Sequence, residues 1–377
     1  MKEQLAALAA MSNKYGADAN FVLAGGGNTS YKDSETLYVK GSGTALATIK
    51  PEEFVRMDRS LLFEIRTKQY SDVEAECEAQ VLADMMAARR EGETRRPSVE
   101  TVLHDLLEWQ FVLHLHPASV NGITCSVSGQ ATIARLFPNA VWVPNSKPGF
   151  TLAMLCMKAL ADGKAATGVC PQLIFLENHG VFFAADTTEE IDAIVADVMG
   201  KIKAEIKEYP DFTPVSADEA KVSAMTEQLI ALCGGAVAFA ASKAVAEYDP
   251  TVGCFTPDHI VYCKANPMVI SEGDDLAEKL AAYRAANGHD PRIVYYCGLG
   301  VFSVNTNQKN ADTALTVFHD GVKISVFAKS FGGLSVIGQS ASMAAGSGIG
   351  TVDIIMRKGT HGLISGILAV ILVQFMI

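Results

Sequence analysis

The sequence predicts an α/β protein with more than one domain, and three observations support that prediction. Short apolar runs bounded by turn-forming or polar residues, such as Phe111–Leu115 and Leu173–Leu176, are typical of buried strands. Between them lie charged segments typical of surface helices, such as 73–91 and 187–207. A chain of 377 residues that is 49% hydrophobic and 19% charged has the length and composition of a globular protein with a sizeable core.

In the first half of the chain, local patterns predict the elements in order. Apolar residues near a 3.6-residue period predict a helix over 1–20. Ser98 follows Pro97 and is a good N-cap, so a helix is predicted over Val99–Trp109. A run of two threonines and two glutamates predicts the start of a helix over 187–207. The remaining predictions are strands at Phe21–Ala24 and Thr36–Lys40, joined by a glycine-rich turn, and a helix at Val73–Glu91.

A domain boundary is predicted where Pro210 and Pro214 lie among charged residues. It separates a domain over 1–210 from a second domain over 215–377. The second domain is predicted to contain helices at Met225–Ala246, Asp274–Ala286 and Asp312–Ala328, and strands at His259–Lys264 and Arg292–Tyr296.

Charge and cysteine usage restrict the partners and the compartment. The net charge of −11 argues against nucleic acid or an anionic membrane surface as the main partner. The eight cysteines are scattered and include no C-x-x-C pair, which favours free thiols in a reducing cytoplasm. The first residues lack the apolar segment of a signal peptide.

The segment 362–377 is apolar and carries no charge. As a helix it would span about 24 Å, less than the ~30 Å hydrocarbon core of a bilayer. This length favours a buried terminal element or an oligomer contact, with a membrane contact as the alternative.

Three histidines form a candidate metal site. Residues i and i+2 of a strand point to the same face, so His114 and His116 would present two imidazoles side by side. His179 lies between Asn178 and Gly180, where an apolar strand ends in a turn. Three protein ligands with an open position are typical of catalytic zinc. Each motif alone is also compatible with ordinary surface histidines.

Glu100 is a candidate acid/base, since a carboxylate in the first turn of a helix is kept ionised by the helix dipole. His104, one turn later, is interpreted as a packing or hydrogen-bonding residue. Two glycine-rich turns, at 25–30 and 40–44, would expose backbone N–H groups that suit an anion. Neither turn has the spacing of a P-loop or of a dinucleotide-binding fingerprint.

In this order, the motifs resemble the class II aldolase/adducin family. The stretches that carry the resemblance are LAGGGNTSYK, LYVKGSGTALATIKPEEF, RPSVETVLHDLL, FVLHLHP, WVPNSKPGF and ENHGVFF. They cover about residues 15–205 and are most similar to long bacterial proteins in which a rhamnulose-phosphate-type aldolase precedes a dehydrogenase module. TPDHIVYCK and PRIVYYCGLGVF resemble the segment that follows the aldolase core in those proteins, whereas the dehydrogenase module is not seen.

The resemblance implies a three-layer α/β/α sandwich with a mostly antiparallel central sheet, and a smaller C-terminal α/β region. It implies that one Zn²⁺ per chain is bound by His114, His116 and His179, and that Glu100 is the catalytic acid/base. The residues implied to hold a substrate phosphate are Gly27, Asn28, Ser42, Gly43 and Ser98. Val99 stands where short fuculose-phosphate aldolases have a second serine, which leaves a phosphorylated substrate open.

The implied activity is a zinc-dependent aldehyde-lyase that reversibly cleaves a ketose phosphate, such as rhamnulose or fuculose 1-phosphate, by a retro-aldol reaction. A cytoplasmic homotetramer is implied as well. An epimerase or dehydratase on the same scaffold is one alternative. Another is a non-enzymatic binding module like the adducin head, which lacks the ligand set; the full set found here counts against it.

One internal similarity bears on the second domain. LIFLENHGVF (173–182) aligns without gaps to IVYYCGLGVF (293–302), and Leu299 takes the position of His179. The similarity has arisen either by chance or from an internal repeat. In the second case the later copy cannot bind metal at that position, so 215–377 is predicted to be structural or oligomer-forming and catalytically silent.

Overall fold

The structure is a computed structural model that describes residues 1–335. These residues divide into two units, one formed by 1–124 and 128–205 and the other by 125–127 and 206–335. Within 1–335, no helix is both long enough and apolar enough to cross a bilayer. The apolar segment 362–377 lies outside the described residues.

The first unit contains eight α-helices and seven strands among its described residues. Its helices are α1 (Lys2–Gly16), α2 (Arg59–Thr67), α3 (Glu74–Ala87), α4 (Thr101–Leu106), α5 (Ala118–Thr124), α6 (Gly129–Leu136), α7 (Phe150–Thr167) and α8 (Thr188–Glu205). Its strands are β1 (Asn28–Lys32), β2 (Thr36–Val39), β3 (Val55–Asp58), β4 (Phe111–Leu115), β5 (Val141–Val143), β6 (Leu173–Leu176) and β7 (Gly180–Ala185).

The strands of this unit form one sheet in the order β3-β2-β1-β4-β7-β6-β5. All neighbours are antiparallel except β5 and β6. Every residue of β1, β4 and β7 is buried, so these central strands are covered on both faces. Apolar side chains such as Val112, Phe182 and Leu103 belong to the core of this unit. The predicted α/β class with a mostly antiparallel central sheet is confirmed, while a three-layer arrangement stays a prediction.

The second unit is also α/β. Its elements are α9 (Glu219–Cys233), β8 (Ala236–Ala240), α10 (Lys243–Ala246), α11 (Pro257–Cys263), β9 (Met268–Ile270), α12 (Leu276–Asn287), β10 (Ile293–Tyr296), β11 (Gly300–Asn305) and α13 (Gln308–Ala328). The sheet order is β8-β11-β10-β9, with β9 and β10 parallel and the other pairs antiparallel. A core that includes Leu229, Leu280 and Phe302 stabilises this sheet.

The two segments that align in sequence adopt the same local structure. In the first unit β6 and β7 form an antiparallel hairpin that leads into α8, and in the second unit β10 and β11 form a hairpin that leads into α13. The preceding strand is parallel to the hairpin in both cases, β5 to β6 and β9 to β10. The paired residues correspond as well, since Ile174 lies opposite Phe182 and Val294 lies opposite Phe302. This agreement supports an internal repeat.

Two predictions around the first glycine-rich turn are wrong. Phe21–Ala24 is a turn after α1, in which the amides of Phe21 and Val22 donate to the carbonyl of Asp18, and not a strand. The strand instead begins at Asn28, within the predicted glycine-rich turn. The polar residues of β1 concealed it, because a buried strand is ordinarily recognised by apolar residues.

Two predictions in the second unit are also wrong. The predicted strand at His259–Lys264 lies largely within helix α11, which has Thr256 at its N-cap and Pro257 in its first turn, a start signal that the apolar run obscured. The long helix predicted over Met225–Ala246 ends at Cys233. Two glycines with positive φ follow, and the chain then forms β8, so the glycine pair marked a boundary.

Candidate metal centre

His114 and His116 lie at the end of β4. His114 is the fourth residue of the strand and is fully buried, and His116 follows the last residue, Leu115. The alternation of a strand brings both imidazoles to the same face, and their ring centroids are 4.6 Å apart. The strand therefore supplies two converging nitrogen donors, as its sequence predicts.

The turn between β6 and β7 adds His179. Asn178 has a φ of 56°, a left-handed conformation that asparagine tolerates better than most residues. Gly180 follows, and a Cβ there would lie 2.5 Å from the carbonyl oxygen of Leu115 and 2.7 Å from Cδ2 of His116. The turn can come this close to the end of β4 only because residue 180 has no side chain.

The three imidazoles form a cluster that can hold a metal ion. One nitrogen of each of His114, His116 and His179 lies within 4.8 Å of the other two, and all three side chains are buried or half-buried. The Nε2 atoms of His114 and His116 are 2.9 Å apart. Nitrogen ligands of a tetrahedral Zn²⁺ lie about 3.3 Å from one another, given Zn–N bonds of ~2.0–2.1 Å. The spacing therefore fits a common ion.

The protonation of His114 supports this interpretation. Its Nδ1 lies 3.0 Å from the carbonyl oxygen of Val181, and because a carbonyl can only accept, Nδ1 carries the proton. In a neutral imidazole Nε2 then presents its lone pair to the cluster. A metal-binding histidine is ordinarily oriented by this kind of bond from its other nitrogen.

Glu100 completes the cluster. It occupies the N-cap position of α4 and is buried, with 5% of its surface exposed. Its Oε2 is 3.5 Å from Nε2 of His114, and its Oε1 is 3.7 Å from Nε2 of His179. Among the described residues, no group donates a hydrogen bond to Oε1. A buried carboxylate oxygen beside imidazole nitrogens suits a bound cation or a proton being transferred.

Two of the residues implied to hold a phosphate contact Glu100. The side-chain amide of Asn28 donates to Oε2 of Glu100 at 2.6 Å. The hydroxyl oxygen of Ser98 accepts from the backbone N–H of Glu100 at 3.2 Å, so Ser98 is not the N-cap of α4 as predicted. The structure thus gives Asn28 a contact with the candidate acid/base that the sequence did not indicate.

The other three lie in glycine-containing turns. Gly27, with a φ of 69°, immediately precedes β1, and Gly43, with a φ of 79°, follows β2. The backbone N–H of Ser42 donates to the carbonyl of Arg96 at 2.9 Å, so this amide does not contribute to an anion nest. Ser42 can contribute its side chain only.

Lys40 and Arg96 lie beside these turns and were not among the residues that the sequence singled out. The backbone N–H of Ser98 donates to the carbonyl of Lys40 at 3.2 Å, and the loop at 41 pairs with Pro97. Lys40 is buried, and Arg96 is half-buried, which lowers the pKa of its guanidinium from the ordinary value. In the sequence, Lys40 opens the K-G-S-G segment and Arg96 belongs to the R-R-P segment.

Comparisons with known proteins indicate the family of this chain. Residues 6–195 match the family described as Class II Aldolase and Adducin N-terminal domain. The protein named "Uncharacterized oxidoreductase YuxG" of Bacillus subtilis (strain 168) is 27% identical over 365 residues, which cover 80% of this chain and 50% of that protein. The chain therefore spans about half the length of this relative.

Two solved structures are similar to about half of the chain. One is the N-terminal class II aldolase domain of a conserved protein from Thermoplasma acidophilum, which is 28% identical, covers 52% of this chain and 91% of its own, and has a TM-score of 0.45. The other is the L-fuculose-1-phosphate aldolase of Thermus thermophilus, with 15% identity, coverage of 54% and 94%, and a TM-score of 0.38. Since the family match covers half of the chain, this protein belongs to the class II aldolase and adducin family.

Proposed function

We propose that this protein is a zinc-dependent aldehyde-lyase that reversibly cleaves a ketose phosphate by a retro-aldol reaction. One observation carries the proposal: the imidazoles of His114, His116 and His179 converge, and the carboxylate of Glu100 lies against two of them. A binding module has no need for a buried carboxylate beside three converging ligands.

The residues divide the chemistry between them. When bound, zinc supplies Lewis-acid stabilisation of the negative charge that remains on the ketose fragment after the C–C bond breaks. Glu100 transfers the proton, since its Oε1 accepts no hydrogen bond from the described residues and lies on the side of His179. The anionic end of the substrate would be held by the residues that the family resemblance implies, namely Gly27, Asn28, Ser42, Gly43 and Ser98.

The experiment is a metal analysis combined with a screen of ketose 1-phosphates, including those of rhamnulose and fuculose. The proposal expects about one zinc per chain and the release of dihydroxyacetone phosphate together with an aldehyde. Epimerised or dehydrated sugar phosphate without cleavage would identify another zinc enzyme of this scaffold. Protein without zinc and without turnover would be a binding module.

We also propose that the domain over 215–377 is structural and that the protein forms a homotetramer in the cytoplasm. The pairing of Leu299 with the position of His179 supports a silent second unit. Calorimetry with NAD(H) and NADP(H) tests this part, since micromolar binding would reopen a dehydrogenase role. Light scattering tests the assembly, and a monomer at micromolar concentrations would contradict it.

A further inference from the structure

Three side chains on one face of β1 contact a single histidine of α4, His104. Asn28, Ser30 and Lys32 alternate along the strand, so their side chains share a face, and all three are buried. Nε2 of His104 contacts Oδ1 of Asn28, and Nδ1 of His104 lies 2.7 Å from the hydroxyl of Ser30. Nζ of Lys32 donates to the backbone carbonyl of His104 at 2.8 Å. His104 is thereby held at both ring nitrogens and at its main chain.

These contacts define the protonation of the ring. The amide oxygen of Asn28 can only accept, so Nε2 of His104 carries a proton and Nδ1 accepts from the hydroxyl of Ser30. Burial, followed by the charge of Lys32, holds the pKa of His104 well below its ordinary value, so the ring is neutral. Nε2 is then a fixed donor with one acceptor.

The fixed donor orients the amide of Asn28. With Oδ1 accepting from His104, the Nδ2 group faces Oε2 of Glu100 and donates to it at 2.6 Å. A carboxylate only accepts, so both contacts demand the same orientation of the amide. The bonds therefore run in one direction, from Ser30 through His104 and Asn28 to Glu100.

We propose that His104 is a positioning residue, whose neutral imidazole holds Asn28 in the orientation that fixes the carboxylate of Glu100 beside the histidine cluster. This inference rests on the proposed role of Glu100 as acid/base only for its effect on turnover. With Oε2 bound to Asn28, Oε1 remains directed at the side of His179, 3.7 Å away. A carboxylate that is already held in the productive orientation does not have to lose conformational entropy when it takes up the proton.

Two substitutions separate positioning from packing. In His104→Gln the side-chain amide can place a donor near the former Nε2 and so retain the contact with Asn28. In His104→Asn the shorter amide reaches only the position of Nδ1 and retains the contact with Ser30. Both variants remove the ring and create a small cavity, so a role in packing alone predicts that they behave alike.

The first readout does not depend on activity. In zinc-loaded protein labelled with [15N]asparagine, the Asn28 side-chain signal is assigned by its loss in Asn28→Asp. Wild type and His104→Gln are expected to show one downfield, slowly exchanging amide proton, and His104→Asn is expected to lose it. An unchanged signal in His104→Asn, or equal loss in both variants, overturns the proposal. If neither variant folds, the absence of a protected Asn28 proton in wild type overturns it.

The second readout is turnover of the cleaved ketose phosphate. We expect kcat of His104→Asn to fall roughly 10- to 100-fold with little change in KM or zinc content, and His104→Gln to recover most of it. If the Asn28 signals behave as expected while Glu100→Gln retains full turnover, the positioning stands and only the proposed role of Glu100 fails. A loss of kcat that is equal in both variants contradicts the positioning role.

Discussion

The imidazole of His114 stacks on the phenyl ring of Phe182, with ring centroids 3.9 Å apart and 13° between the planes. The two residues lie directly opposite each other on β4 and β7. The stack and the bond from Nδ1 of His114 to the carbonyl of Val181 together fix the plane and the rotation of the ring. Contacts within the central sheet therefore orient Nε2 of His114 toward the other two histidines.

We expect Phe182→Leu to weaken zinc binding by roughly 10-fold, because His114 loses the ring that restrains it. Phe302→Leu is the matched control, since Phe302 occupies the corresponding position of β11 and is equally buried. Both substitutions should lower the free energy of unfolding by about 1–2 kcal/mol. Competition with a chromophoric chelator measures the affinity, and equal affinities in the two variants would show that the stack does not act on the metal.

Replacing His114, His116 or His179 singly with alanine should abolish stoichiometric zinc. Each variant removes one of three ligands that lie within 4.8 Å of one another. His289→Ala, in the second unit, serves as the control and should keep the wild-type metal content. Mass spectrometry of the purified proteins after dialysis decides the matter, and one zinc per chain in any of the three variants would remove that residue from the site.

Glu100→Gln should keep the fold and most of the metal while kcat falls by about 10²-fold or more, which is the usual contribution of an acid/base. The side chain retains its size but can no longer take up a proton. Glu189→Gln, an exposed first-turn acid of α8, is the control. Activity close to wild type in Glu100→Gln would place the acid/base elsewhere.

Gly180→Ala should weaken zinc binding, because the new Cβ meets the carbonyl of Leu115 and the ring of His116. Gly200 lies in α8, where an added Cβ would have no atom within 4 Å, so Gly200→Ala should stabilise the helix by up to about 1 kcal/mol and leave zinc binding unchanged. Thermal unfolding and a zinc titration of both variants provide the measurement. If Gly180→Ala binds zinc with wild-type affinity, the end of β4 can move away from the new Cβ without a loss of zinc-binding free energy.

Burial, opposed by the charge of Asp105, lowers the pKa of Lys32 to about 7. Between pH 7 and the ordinary lysine pKa near ~10.4, the unfolded chain then binds more protons than the folded chain. The stability of wild type relative to Lys32→Met should therefore rise with pH in this window, by at most about 1.4 kcal/mol per pH unit, and be flat below it. Urea unfolding of both proteins from about pH 6 to pH 9 tests this, and a difference that falls with pH would contradict it.

The cluster of three histidines could be predicted from sequence because it depends on local geometry. H-x-H in an apolar strand places two imidazoles on one face, and His179 lies in the turn between β6 and β7, directly before Gly180. The network of His104 could not be predicted, because Asn28 and His104 are 76 residues apart and meet only through the pairing of β1 with β4 and the packing of α4. The polar residues Asn28, Ser30 and Lys32 of β1 are explained only by their contacts with His104, which the sequence does not show.

The repeated hairpin shows how little of the scaffold depends on the metal. By strand register, Phe239 and Ala241 take the positions of His114 and His116 in the second unit, and Leu299 takes that of His179. The same strands, turn and helix form there without any of the three donors. Duplication followed by loss of the three histidines would leave this arrangement, and it implies that the fold of the first unit does not require a bound metal ion. We therefore expect that removing a bound metal ion with a chelator abolishes turnover without unfolding the first unit.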